Sequence, residues 1–193
     1  MKPRLVLGSS SQSRIIMLAR IGYQPDIIQH PEIDERVLKG ELPKNTALRL
    51  AREKATKVHQ DFPNDIVIGA DTICAVGRFA LPKALTKDDI RLCLKKTSGR
   101  RHKVFTGICG MINDRVIIKL GTTTIQFKVL TKQECDEFIE DMPQWYGKAG
   151  GYTLMGKAAA FVTMMSGDEA SNVIGLPLYH ANNIIKTLSN NKL

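Results

Sequence analysis

Asp71 interrupts an apolar run, Ile66-Val67-Ile68-Gly69-Ala70-Asp71-Thr72-Ile73-Cys74-Ala75-Val76, whose density suits a central β-strand. An ionised carboxylate in such a run is costly unless it is paired, hydrogen-bonded or bound to a metal. Two readings fit it. The acid either faces a cleft from the end of a strand or ends the strand by turning the chain. A second candidate is LGSSSQSR, residues 7 to 14, between a short apolar run, Leu5 to Leu7, and a helical stripe from Ile15 to Ile21. One serine at such a junction is an ordinary N-cap. Ser9, Ser10 and Ser11 together, with free N–H groups and the guanidinium fork of Arg14, equally describe an anion site. No G-x-x-x-x-G-K-[ST] occurs, so the stretch is not a Walker loop.

Three further groups carry charge that could join either site. Glu32, Asp34 and Glu35 in HPEIDER form either a solvated acidic loop or half of a Mg²⁺ site completed by Asp71. Lys54 lies in LAREKA on a helix that faces solvent or the same cleft, and Lys83 follows a proline in a loop.

The elements that must position these residues follow from periodicity and breakers. Strands are predicted at 5–7, 26–28, 66–76, 103–112, 116–129 and 161–165, with a turn at Asn113-Asp114. Helices are predicted from Ile15 to Gly22, over 44–58, 88–96 and 133–141, and after Leu176-Pro177. Early alternation of strand and helix followed by two long adjacent strands gives an α/β or α+β fold with a mixed sheet. With 193 residues, 43% of them hydrophobic, and no dividing linker, the expectation is a single domain over 1–193.

Composition narrows the function classes. No apolar run approaches the roughly 18 residues of a membrane span, and the N-terminus lacks a signal-peptide core, so a cytoplasmic protein is expected. Cys74, Cys93, Cys109 and Cys135 are dispersed, as are the four histidines, which argues for reduced, packed thiols and against a histidine-built metal site. The net charge of +9 suits a solvated basic surface or attraction of a polyphosphate. The densest basic group, Lys95-Lys96 with Arg100-Arg101-His102-Lys103, has no aromatic residue for base stacking beyond the histidine, which argues against nucleic acid.

The motifs also occur together and in order. LGSSSQSR, IDER at 33–36, LAREKA at 50–55, IGADTI at 68–73, LPK at 81–83, SGRRHKVFTG at 98–107, KAGGYTLMG at 148–156 and SNVIGLPL at 171–178 span nearly the whole chain. In these stretches it resembles the Maf-like nucleoside triphosphate pyrophosphatases. The resemblance implies a cytosolic enzyme that hydrolyses a nucleoside triphosphate to the monophosphate and pyrophosphate with a divalent cation, Mg²⁺ or Mn²⁺. Removal of non-standard nucleotides from the pool is one role such an activity serves. It further implies an elongated mixed sheet flanked by helices, two lobes around a central cleft in a Maf/ITPase-like fold, and a homodimer, as is frequent in the family. Carried over by position, Asp71 is the general base, Lys54, Lys83 and Glu35 the charged groups around it, and Asp71 with Glu35 the metal carboxylates. Ser9, Ser11 and Arg14 hold phosphate.

Three positions, in two of these stretches, depart from the family pattern. Gln12 and Ser13 stand where proline and a first arginine are usual, and Met155 where a glutamine is usual. Thr72 matches the ADT form of the dTTP/UTP-preferring branch. Ser13, Thr72 and Met155 are therefore the expected base-facing positions, and weak base discrimination is the expected consequence. The alternative is a nucleotide- or nucleic-acid-binding protein with weakened turnover.

Overall fold

A computed structural model describes residues 3–190. Seven strands form one sheet: β1 (Leu5–Gly8), β2 (Ile27–Ile28), β3 (Ile66–Val76), β4 (Phe79–Ala80), β5 (Arg101–Ile112), β6 (Arg115–Phe127) and β7 (Val162–Gly167). Their order is β2-β1-β3-β5-β6-β7, with β4 beside the end of β3. β1 runs parallel to β2 and β3, whereas β3, β5, β6 and β7 are antiparallel neighbours. The sheet is thus mixed, as the pattern predicts. Asn113, at φ 49°, makes the tight turn between the two long strands.

Five helices flank the sheet: α1 (Gln12–Arg20), α2 (Pro43–His59), α3 (Lys87–Thr97), α4 (Lys132–Glu140) and α5 (Leu178–Ser189). Helices α3 and α4 begin at capping boxes, Thr86 with Asp89 and Thr131 with Glu134, which satisfy first-turn N–H groups reciprocally. The two-residue β4 and the short 3-10 turns at Met142–Gln144, Lys157–Phe161 and Ala170–Ile174 fall below the length that periodicity detects.

The apolar core is divided along the long strands. Leu7, Leu18, Ile68, Ala70, Ile108, Leu176 and Ile184 pack on one side of the β1–β3 end, and Val6, Ala51, Ala55, Val67 and Cys109 on the other, under α2. Cys74, Leu81, Ile90, Phe127, Trp145, Tyr152 and Phe161 fill the opposite end. Asp71 lies between Ala70 of one cluster and Cys74 of the other, so the boundary between the two lobes crosses β3 at the acid.

Candidate active site

The register of the sheet makes the opening. β1 stops at Gly8, opposite Gly69, and β4 pairs with β3 only at Ala75 and Val76. Between them, residues 70–74 of β3 have no strand partner on that side, while the other side stays paired to β5 throughout, with Asp71 opposite Gly107. The strand runs through Asp71 to Val76, so the acid does not turn the chain. It faces a gap in the sheet edge.

Helix α2 brings the partner of Asp71. Ala47, Leu50, Ala51, Ala55 and Val58 form its buried stripe, and Lys54 falls on that stripe rather than on the solvent face. The helix can lie this close because the strands beneath it carry glycine. A Cβ on Gly69 would stand 2.5 Å from the Ala55 nitrogen, and one on Gly107 would stand 2.2 Å from the Ala47 carbonyl oxygen. Lys54 Nζ donates to Asp71 Oδ1 at 2.5 Å and lies 2.6 Å from Glu35 Oε1, while Glu35 Oε2 accepts from Lys83. Asp71 and Lys54 are 1% and 5% exposed. Burial alone would push the Glu35 carboxyl up; hydrogen bonds and charge from Lys54 and Lys83 outweigh it and hold the group at about 2. Of the acidic cluster, only Glu35 turns inward, since Asp34 pairs with Arg36 at the surface and Glu32 is exposed.

The serine loop forms the adjoining wall. Ser11 occupies the N-cap position of α1, yet its side chain makes no capping bond. Instead Ser9 Oγ accepts from the Ser11 N–H at 3.2 Å and from Arg14 Nη1 at 2.9 Å. Arg14 is buried, and its Nε donates to the Gly175 carbonyl at 2.8 Å. Burial lowers its pKa from the ordinary value, while Asp71 and Glu35 pull the other way. On the far side of the sheet from α2, Thr72 Oγ1 sits 3.1 Å from Thr106 Oγ1, which donates to the Asn172 carbonyl at 3.0 Å. Lys83 is fixed by a backbone bridge to Ala149.

The gap opens into connected hollows. One, of about 180 Å³, is lined by Ser11, Ser13, Arg14, Lys54, Asp71 and Thr72 among others. A second, of about 390 Å³, runs along the serine loop to Glu35 and Lys83 and includes Ser9. Met155 lines neither. It is 46% exposed, on a turn whose following residues are pinned when Gln144 Oε1 accepts from the Lys157 N–H at 2.8 Å. Lys148 and Tyr152, from KAGGYTLMG, and Gly175, from SNVIGLPL, do line the first hollow. Asn172, also in SNVIGLPL, is fully buried and donates to the Val104 carbonyl at 2.9 Å. Their motifs mark them, but nothing in their spacing assigns a task.

A sequence model described as "Maf-like protein" matches residues 4–188. The chain belongs to the Maf-like family. A Caulobacter vibrioides protein named dTTP/UTP pyrophosphatase is 46% identical over 187 residues, covering 96% of each chain. A Maricaulis maris protein of the same name is 42% identical over 97% of this chain and 89% of its own. An Ehrlichia canis protein named nucleoside triphosphate pyrophosphatase is 40% identical over 94% of each chain. The solved structure of the Staphylococcus aureus Ham1 protein matches with a TM-score of 0.45 and 19% identity, covering 64% of this chain and 71% of that one. Of the Maf-like positions singled out by sequence, Glu35, Lys54, Asp71, Lys83, Ser9, Ser11, Ser13, Arg14 and Thr72 line the hollows, and Met155 does not.

Proposed function

We propose that this Maf-like chain hydrolyses a nucleoside triphosphate between its α and β phosphates, releasing the monophosphate and pyrophosphate. One observation carries the reading: Asp71 Oδ1 is held by Lys54, whereas Asp71 Oδ2 is buried with no protein partner beside the gap. A carboxylate oriented by one oxygen and free at the other is placed to take a proton from an attacking water. General base catalysis of this kind is worth about 10²–10⁴ in rate. The water oxygen bonds to phosphorus, its proton passes to Asp71, and pyrophosphate leaves with the electrons of the broken P–O bond. Arg14, Lys54 and Lys83 offset phosphate charge in a partly buried setting where fixed charges act strongly. The serine loop orients the polyphosphate, with Ser9, Ser11 and Ser13 supplying short polar groups.

A divalent cation fits this site in a restricted way. Among the described residues no cluster of three or more His, Cys, Asp or Glu could hold one. The Glu35 and Asp71 carboxylates would hold it, and both Glu35 oxygens and Asp71 Oδ1 are already paired with lysines. That suits an ion such as Mg²⁺, which keeps waters and is held by one or two carboxylates together with substrate phosphates. When bound it would polarise a phosphoryl oxygen and neutralise charge.

The names of the relatives make dTTP and UTP the first substrates to try. Pyrophosphate release over a panel of nucleoside triphosphates, with Mg²⁺ or Mn²⁺, tests the reading. Release of pyrophosphate with matching monophosphate is the expected result; binding without release from any nucleotide overturns it.

A further inference from the structure

We propose that Lys148 is a further phosphate-binding residue of this site, an ammonium that closes onto the β and γ phosphates in the hollows it shares with the serine loop. The inference rests on the reading above and names a residue to which no role has been given.

The cleft holds four cations, Arg14, Lys54, Lys83 and Lys148, against two carboxylates, Glu35 and Asp71. Both carboxylates are already engaged by Lys54 and Lys83. Arg14 is bound to Ser9 and Gly175 and cannot travel. Lys148 is different. Its Nζ donates to the Pro143 carbonyl at 2.9 Å in an exposed position and makes no ion pair among those described. Among the described residues it is the one cleft ammonium whose only partner is neutral and replaceable.

The backbone beneath it is rigid. Trp145 is 2% exposed and its indole N–H donates to the Ile139 carbonyl at 3.0 Å, anchoring one end of the loop in the core. Gly147, Gly150 and Gly151 all take positive φ, and a Cβ on Gly150 would stand 2.7 Å from Cys74 of β3. The Gly147 N–H donates to the Ala84 carbonyl at 2.8 Å, and the Lys148 carbonyl accepts from the Ala84 N–H at 3.2 Å. Lys148 is thus tied to the segment carrying Lys83. Ser13 and Lys148 line the same two hollows. A fixed backbone with a long, loosely held side chain suits a cation that need move only its own stem. A point charge of this kind suits phosphate oxygens rather than a base edge.

The full-length protein and its Lys148→Gln variant, assayed for pyrophosphate release and for inhibition by inorganic tripolyphosphate, test the proposal. The expected result is a rise of about tenfold or more in KM for the triphosphate and in Ki for tripolyphosphate, as for a lost charge-assisted hydrogen bond. Inhibition by the nucleoside monophosphate should change less than about twofold, and Lys148→Arg should recover most of the loss. KM and Ki both within about twofold of the parent, with an unchanged unfolding midpoint, overturn it. If the parent protein releases no pyrophosphate, the hydrolase reading fails separately. Lys148 is then judged by tripolyphosphate binding in calorimetry, where equal affinity of parent and Lys148→Gln refutes it.

Discussion

Lys54 and Asp71 form a buried ion pair, Nζ to Oδ1 at 2.5 Å, across the seam between α2 and β3. A buried pair is weak grounds for stability, because desolvation of both charges offsets their attraction. Its use here is orientation: Glu35 gives Lys54 a second carboxylate, so the lysine remains partnered even if Asp71 is neutral.

That second partner shapes the outcome at the acid itself. Asp71→Asn should fold and bind nucleotide, yet lose about 10²–10⁴ in kcat, since the amide cannot accept the water's proton. Turnover within a few-fold of the parent, by pyrophosphate release, removes Asp71 from the chemistry.

Arg14→Ala should weaken triphosphate binding by about 1.5–3 kcal/mol and monophosphate binding by less. Arg14→Lys should not restore it, because a single ammonium cannot reach Ser9 and Gly175 together. Calorimetric titration with both ligands decides the point, and equal, negligible losses remove Arg14 and its loop from phosphate binding.

Gly107→Ala should damage activity from a position that touches no substrate. The added methyl meets the α2 backbone at Ala47 and Leu48, so the helix must shift and Lys54 with it. Overpacking of this kind costs about 1–3 kcal/mol. Denaturant unfolding and kcat measured together test this, and a variant unchanged in both refutes the close-packing account.

Base discrimination should be weak. Ser13 is small, Met155 lies outside the hollows, and the Thr72 hydroxyl is already shared with Thr106 and lies 3.4 Å from Arg14 Nη2. Specificity constants for the common triphosphates should fall within about tenfold, a spread of roughly 1.4 kcal/mol. Ser13→Arg should widen the spread, and Met155→Gln alone should not. A parent preference above about a hundredfold that is unchanged in Ser13→Arg refutes this.

His102 gives the fold a pH dependence from behind Tyr152, which lines the first hollow. It is buried against Phe127 and Tyr152, with Nε2 2.8 Å from the Tyr152 hydroxyl, and burial pushes its pKa down to about 4. The folded state therefore keeps it neutral while the unfolded chain protonates near 6.5, so stability falls as pH drops from about 6.5 towards 4. The fall is worth at most about 3 kcal/mol. His102→Gln should flatten it in urea unfolding at pH 7.5, 6 and 5, and an identical slope refutes the assignment.

The sequence by itself determined the long elements and the chemistry available to them. Alternation and apolar density marked β3, β5 and β6, the stripe of Ala47, Leu50, Ala51, Ala55 and Val58 marked α2, and Asp71 stood out because a charge in a buried strand requires a partner. These signals are local, carried within one turn or one pleat, so they survive without tertiary information. The α2 stripe even held the clue to Lys54, which shares its period. Tertiary structure decided the rest. The gap at Asp71 exists because β1 ends opposite Gly69 and β4 pairs with β3 only from Ala75 onward, and the first of these is a register between segments some sixty residues apart in the chain. Glu35 was separated from two equally acidic neighbours only by where its loop crosses Lys54 and Lys83. Lys148 lines the hollows and Met155 does not, because the loop after α4 is set by Trp145 in the core and by backbone bonds to the Lys83 segment. Contacts of that range depend on how the lobes pack, which no local pattern records.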